Sequence, residues 1–239
     1  MEARRTLSFC FFQRFREPGS PFNISFQTLY CWSWFTLTHM SAPQEVEIKF
    51  LVPDLKTLGQ QLAKMGFRCV TPSTHEVNTL YDLPGQKLRR KGELLRLRKY
   101  GENWRLTHKA RTRVSKYKSR TELETGVSDG PQMDLVLRAL GYQPVFIYEK
   151  FRSEWSDGHG HVVLDHTPIG DIAEVEGKPR WIDRTARAIG VEPGDYITKS
   201  YAELFFDWKR KYKRKAMNMT FREIGGRAKP GRRESGSKS

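Results

Sequence analysis

Residues 45–52 read EVEIKFLV, and the placement of charge along them decides the fold. In an extended strand successive side chains point to opposite faces, so Glu45, Glu47 and Lys49 share one face and Val46, Ile48 and Phe50 the other. The same division recurs downstream. Arg96 and Arg98 oppose Leu95 and Leu97, and Arg120, Glu122 and Glu124 oppose Thr121 and Leu123. Lys150 and Arg152 share a face, Glu174 and Glu176 oppose Ala173 and Val175, and Asp165 sits in the otherwise apolar run 161–168, HVVLDHTP.

Around these runs the punctuation is that of hairpins with few helices. Pro53-Asp54 opens a helix carrying Leu55, Leu58, Leu62 and Met65 on one side and stopped by Gly66. Residues 67–83 are extended up to the Pro84-Gly85 turn, and 93–100 and 103–110 flank Gly101-Glu102 as a hairpin. Strand 118–127 precedes a helix over 129–140, and strands follow over 142–155, 161–168 and 170–177. A helix over 181–189 ends at Gly190, and a last one starts near Ser200. This order predicts an α+β fold: an antiparallel, eight-stranded β-barrel with helices packed outside.

The 239 residues carry 42 Lys+Arg against 27 Asp+Glu, a net charge of +15. Most of the excess is terminal. Residues 208–239 hold +10 and residues 1–39 hold +2, leaving +3 on a body dense in both signs. A nucleic-acid-binding body shows a one-sided basic excess instead. The expected organisation is therefore a folded domain over 40–207 with two appendages. The segment 1–39 lacks strand or helix period, and Met40 is a plausible start; an extension or a targeting segment are the other readings. The segment 208–239 reads as the end of a helix followed by a solvated basic tail, with a loose electrostatic arm for RNA or polyphosphate as the functional alternative. No apolar run approaches the ~18 residues of a spanning helix. Three scattered cysteines without a CxxC predict a reduced, cytoplasmic protein with no structural zinc.

A charged face on one strand reads as a solvent-exposed ion-pair ladder of little energetic worth. Here nearly every strand carries one, each backed by an apolar face suited to helix packing. If those apolar faces turn outward under the helices, the charges line the inside of the barrel. Buried charges are costly without partners, so such a lumen is expected to be wet and built for a polyanion. Arginine and lysine at several depths hold successive phosphates. Carboxylates do not bind phosphate directly, but Mg²⁺ or Mn²⁺ would bridge them to phosphate oxygens.

The ExExK strand, LRLR (95–98), THK ending at Lys109, SRTELE (119–124), YEKFR (148–152), VVLDH (162–166), AEVEG (173–177) and TKSYAELF (198–205) together resemble the CYTH superfamily, the triphosphate tunnel metalloenzymes. The match runs in order over about 43–207, nearest to the class IV adenylyl cyclase and thiamine triphosphatase branch. The resemblance implies a metal-binding wall of Glu45, Glu47, Glu174 and Glu176, with Asp165 as a metal ligand or water-orienting carboxylate. It implies a phosphate-binding wall of Lys49, Arg96, Arg98, Lys109, Arg120, Lys150 and Arg152, with Lys199 closing over the triphosphate; Lys49, Asp165 and Lys199 are the expected catalytic residues. Glu122 and Glu124 are expected to orient the arginines or assist a second metal. Thr107, His108 and His166 are expected to point away from the lumen. The implied activity is metal-dependent hydrolysis of inorganic tripolyphosphate or a small organic triphosphate. The alternatives are cyclisation of ATP to cyclic AMP, with Tyr81, Tyr100 or Trp104 stacking the base, and a non-catalytic polyphosphate- or RNA-binding module. Cyclase members show His-Phe shortly upstream of ExExK where this chain has His39-Met40, which ranks hydrolysis first.

Overall fold

The computed structural model describes residues 44–225. Strand β1 (Gln44–Leu51) is followed by α1 (Leu55–Lys64), the long β2 (Arg68–Asp82), α2 (Lys87–Lys91), β3 (Leu94–Tyr100), β4 (Asn103–Lys109), the two-residue β5 (Arg113–Val114) and β6 (Lys118–Val127). Helix α3 (Gly130–Ala139), β7 (Gln143–Ser156), β8 (Gly160–Thr167), β9 (Gly170–Gly177), α4 (Pro179–Ala188), α5 (Tyr201–Lys211) and α6 (Phe221–Ile224) complete the order. The strands pair antiparallel in the sequence β1-β9-β8-β7-β2-β3-β4-β6, and β1 pairs with β6 to close the circle. The result is the expected eight-stranded barrel, with β5 as a short addition on β6. Closure pairs the two strands that would be the edges of an open sheet.

Apolar faces turn outward, as the alternation requires. Ile48, Phe50 and Val52 from β1, Val162 and Leu164 from β8, and Ala173 and Val175 from β9 are buried with Leu58 and Leu62 of α1 and with Trp181, Ile182 and Ala186 of α4. Asp54 caps α1 by accepting from the N–H groups of Lys56 and Thr57 at 3.0 and 3.2 Å. Tyr81 and Leu97 are covered in the same way by Leu137 of α3. At Gly160 an added Cβ would come within 2.5 Å of the Trp181 ring and 2.7 Å of the Glu176 carbonyl oxygen, so α4 lies directly on the β8 backbone there.

Two features differ from the sequence reading. The stretch after Pro84-Gly85 contains the short helix α2, whose first N–H groups are satisfied by Asp82: Oδ1 accepts from Leu88 at 2.8 Å and Oδ2 from Arg89 at 3.1 Å. The expected domain limit at 207/208 falls inside α5, and the chain then returns to the barrel. The Met219 N–H donates to the Ile147 carbonyl at 2.9 Å and the Glu149 N–H donates to the Met219 carbonyl at 3.1 Å. That part of β7 lies beyond its pairing with β8, so the returning segment fills an otherwise open ladder. Met219 is fully buried and Phe221 stacks on His166. Residues 208–225 are therefore structural; the 1–39 appendage and the tail beyond 225 lie outside the described residues. Met219→Ala is expected to cost about 2–5 kcal/mol in urea denaturation, as other large-to-small core changes do; a solvated tail would show no loss.

Candidate active site

Inside the barrel the charged faces converge on a cavity of about 330 Å³. Among the described residues eight cations line it: Lys49, Arg96, Arg98, Lys109, Lys118, Arg120, Lys150 and Arg152. Seven carboxylates line it as well: Glu45, Glu47, Glu122, Glu124, Glu154, Glu174 and Glu176. Asp165 and Glu76 stand behind them, both at 0% exposure. This is the physical content of the alternating strands: many buried ionisable groups, most of them stabilised by opposite charge rather than by water.

The pairing is specific. Lys49 Nζ lies 2.7 Å from Glu47 Oε1 and 3.2 Å from Glu174 Oε1, and Lys118 Nζ reaches the same Glu47 oxygen at 3.0 Å. The register sets this up, because Lys49 lies opposite Glu174 on β9 and Glu47 opposite Lys118 on β6. Lys109 bridges Glu45 at 2.9 Å and Glu122, and Arg120 reaches Glu45 at 3.3 Å. Arg152 donates to both oxygens of Asp165 at 2.8 and 2.7 Å and to Glu174 at 2.7 Å. Lys150 donates to Asp165 at 3.0 Å, and the Tyr201 hydroxyl donates to it too.

These contacts shift the ionisations. Burial pushes the Glu45 carboxyl up, but Lys109 and Arg120 outweigh it and hold the group well below the usual range. Burial likewise opposes ionisation of Glu76, which Lys150, Arg152, Arg98 and Arg96 nevertheless lower to about 2. Glu176 goes the other way. Burial raises it, the neighbouring Glu45, Glu174 and Glu47 raise it further, and it stands at about 7. Burial, then Lys49 and Arg120, lower the Lys118 ammonium to about 8.

Most of the expected residues are brought together here, with two exceptions of placement. Lys199 is half-exposed and bound to Asp207 at 2.5 Å, and it is not among the residues lining the cavity. Asp165 is enclosed by Lys150, Arg152 and Tyr201 and does not line the cavity itself. Thr107 corrects the expectation made for it. It faces inward, fully buried, accepting from Arg96 at 3.3 Å and donating to Glu124 at 2.8 Å, because it shares its strand face with Lys109. His108 lies on the outer face at 3.8 Å from Glu93, and His166 packs on Phe221, as expected. The sequence reading missed Glu76, Lys118, Glu154 and Tyr201. The first two were legible, since Glu76 alternates with Val77 as Glu47 does with Ile48, and Lys118 lies two residues before Arg120 on the same face. Tyr201 carries no such signal, because only the docking of α5 on the barrel end brings it to Asp165.

A closed antiparallel barrel with an acid- and base-lined lumen defines the class. The chain belongs to the CYTH domain family, whose model matches residues 43–201. Three similar proteins are named as adenylate or adenylyl cyclases, each qualified as putative. One from Methanocaldococcus jannaschii is 28% identical over 171 residues, covering 67% of this chain and 97% of its own. A solved structure from Vibrio parahaemolyticus superposes with a TM-score of 0.61 at 19% identity, covering 69% of this chain and 99% of its own. The third, HpAC1 from Hippeastrum, has a TM-score of 0.52 at 18% identity over 68% of this chain and 95% of its own, and is described as having a dominant triphosphatase activity. Among the described residues no helix is long and apolar enough to cross a membrane.

Glu176 gives a pH signature for the ligand-free protein. Its carboxyl is raised in the folded state from the ordinary 4.5 to about 7, so its contribution to stability is full below 4.5 and is lost as pH rises through 7. Denaturation of wild type and Glu176→Gln at pH 5, 6, 7 and 8 should show wild type losing stability relative to the variant over that interval.

Proposed function

We propose that the protein is a metal-dependent hydrolase of inorganic tripolyphosphate or a small organic triphosphate. The observation that carries this reading is the charge balance of an enclosed site. Among the described residues eight lining cations face nine carboxylates once Glu76 and Asp165 are included, so their sum is not cationic. A tripolyphosphate brings about −4 to −5 at neutral pH, from two terminal groups and one inner one. Adding that to a buried, balanced lumen is prohibitive without divalent cations.

The donor set suits such ions. Glu45, Glu47, Glu174 and Glu176 offer hard oxygen ligands from neighbouring register positions, and the raised Glu176 carboxyl marks an excess of negative charge there. Among the described residues no three acids converge as a ready coordination shell. The ammonium and guanidinium groups now occupying Glu45, Glu47 and Glu174 are the ones a triphosphate would draw away, freeing them as it binds. Mg²⁺ or Mn²⁺ would supply positive charge against the phosphate oxygens.

The chain's own residues do the rest. Arg96, Arg98, Arg120 and Arg152 offer paired N–H donors, and Lys49, Lys109 and Lys150 act as point charges along the phosphates. Their preset orientation stabilises charge on the phosphoryl group in flight. Water forms the new bond to phosphorus, the phosphorus–bridging-oxygen bond breaks, and a carboxylate or solvent takes the proton. Asp165 holds Lys150 and Arg152 in place from behind.

The names of the relatives keep ATP cyclisation as a second reading. It needs a base-stacking surface at the site. Tyr81 and Trp104 lie in the outer apolar cluster with Leu97, which leaves Tyr100, beside Arg98, as the inward-facing aromatic of the three first considered. Incubation with tripolyphosphate and with ATP, with Mg²⁺ or Mn²⁺, should release orthophosphate as the main product. Cyclic AMP as the main product would establish the cyclase reading, and salt-sensitive binding without turnover the non-catalytic one. Lys49→Ala should lower turnover at least about 100-fold with an unchanged circular dichroism spectrum, and Glu47→Gln should raise the metal concentration needed for half-maximal rate.

A further inference from the structure

We infer that the outer surface made by α2 and the end of α5 binds single-stranded nucleic acid, at a site separate from the lumen and independent of what the lumen does.

Two stretches of the chain carry cations and no acid. One is PGQKLRRKG over 84–92, with Lys87, Arg89, Arg90 and Lys91; the other is WKRKYKRK over 208–215, with six. Far apart in sequence, they meet in the fold. Asp82 ties α2 to the end of β2, and the Arg89 guanidinium lies 5.8 Å from the Phe206 ring of α5. Arg210 is one helical turn beyond Phe206, so it shares that side of α5 with the ring and with α2. Past α5 the chain folds back on the helix end. Lys213 takes a left-handed φ of 50°, and the Arg214 N–H donates to the Lys209 carbonyl at 3.0 Å. That turn and the buried Met219 beyond it hold residues 213–215 to the body of the protein.

The lumen pairs its cations, but this face leaves them open. Among the described residues, Arg210 is the member of the ten that meets a carboxylate, Asp207 at 3.2 Å. The four cations of α2 and those at 211 and 213–215 are exposed. Such charges hold mobile counter-ions, which a chain of phosphates releases on binding. Exposed rings narrow the partner further. Phe206 and Tyr212 are 37% and 53% exposed, and each has a cation over its face, Arg89 at 5.8 Å and Lys211 at 5.3 Å. Beside α2 a groove of about 540 Å³ is lined by Leu83, Leu88, Leu95 and Tyr142 together with Lys87, Arg90 and Lys91. Unpaired bases stack on rings and settle into apolar grooves while the phosphates between them meet cations, which is how single strands are held without regard to sequence. A duplex keeps its base faces hidden. A membrane surface requires a continuous apolar helix face, and α5 uses its own, through Tyr201 and Phe205, to pack on the barrel.

Fluorescence anisotropy on the full chain tests this, with oligo-U and oligo-dT of about 20 nucleotides as probes. The controls are a duplex, polyglutamate of similar charge and phosphatidylserine vesicles. Both single strands should bind at least about tenfold more tightly than any control. Arg89→Glu with Arg90→Glu and Lys91→Glu should weaken that binding at least about 30-fold and flatten the dependence of log affinity on log salt by about 2. Lys213→Glu with Arg214→Glu should act in the same direction from the other helix. Tyr212→Ala should weaken oligo-U at least about fivefold and leave polyglutamate unchanged. Circular dichroism spectra should be unaltered throughout, and Lys49→Ala should bind the single strands as wild type does. Absence of single-strand binding, equal binding by wild type and both charge-reversed variants, or its loss in Lys49→Ala would overturn the outer site. Duplex, polyglutamate or vesicles bound as tightly as the single strands would overturn the partner assigned to it.

Discussion

Buried opposite charge is the constraint on which the rest of this molecule depends. Lysine and glutamate side chains such as Lys150, Glu47 and Glu174 lie inside the barrel at 5% exposure or less, where an unpaired charge would cost several kcal/mol. They persist because the strands place them in register: Lys49 beside Glu174, Glu47 beside Lys118, Arg152 beside Asp165. Removing one partner strands the other, so the network is cooperative. Outside the barrel an ordinary apolar layer, built from the alternate faces and from α1, α3 and α4, holds the strands in that register.

The same network explains why the site suits a strongly charged ligand. Under the proposed reading each ion pair of the ligand-free lumen is a placeholder: the lysine would give up the carboxylate to a divalent ion, and the carboxylate would give up the lysine to a phosphate. Glu176 is where the placeholders run short. Burial and three neighbouring glutamates raise its carboxyl to about 7.

The sequence and the structure divide along the distance over which information acts. Strand alternation is local, so the charged and apolar faces, the barrel class and the set from Glu45 to Glu176 were legible residue by residue. Glu76 and Lys118 obeyed the same rule and were legible in principle. Thr107 was misplaced although its parity with Lys109 was in the sequence. Lys199 carried a motif signal, but in the fold it turns to Asp207 on the helix that follows it, α5. The segment beyond residue 207 looked like a basic tail because its composition is basic; its docking depends on Met219 and Phe221, two apolar residues among many cations.

By itself, then, the sequence determined the periodicity, the sign of charge at each inward position and the family pattern, because a two-residue repeat needs no knowledge of neighbours. Tertiary structure alone decided which acid meets which base, that Asp165 stands behind the cavity under Tyr201, and that α5 packs on Leu80, Phe146 and Ile172. Those outcomes depend on the register between strands far apart in the chain and on the seating of α5 and the returning segment. Both are set by packing, which no local pattern encodes.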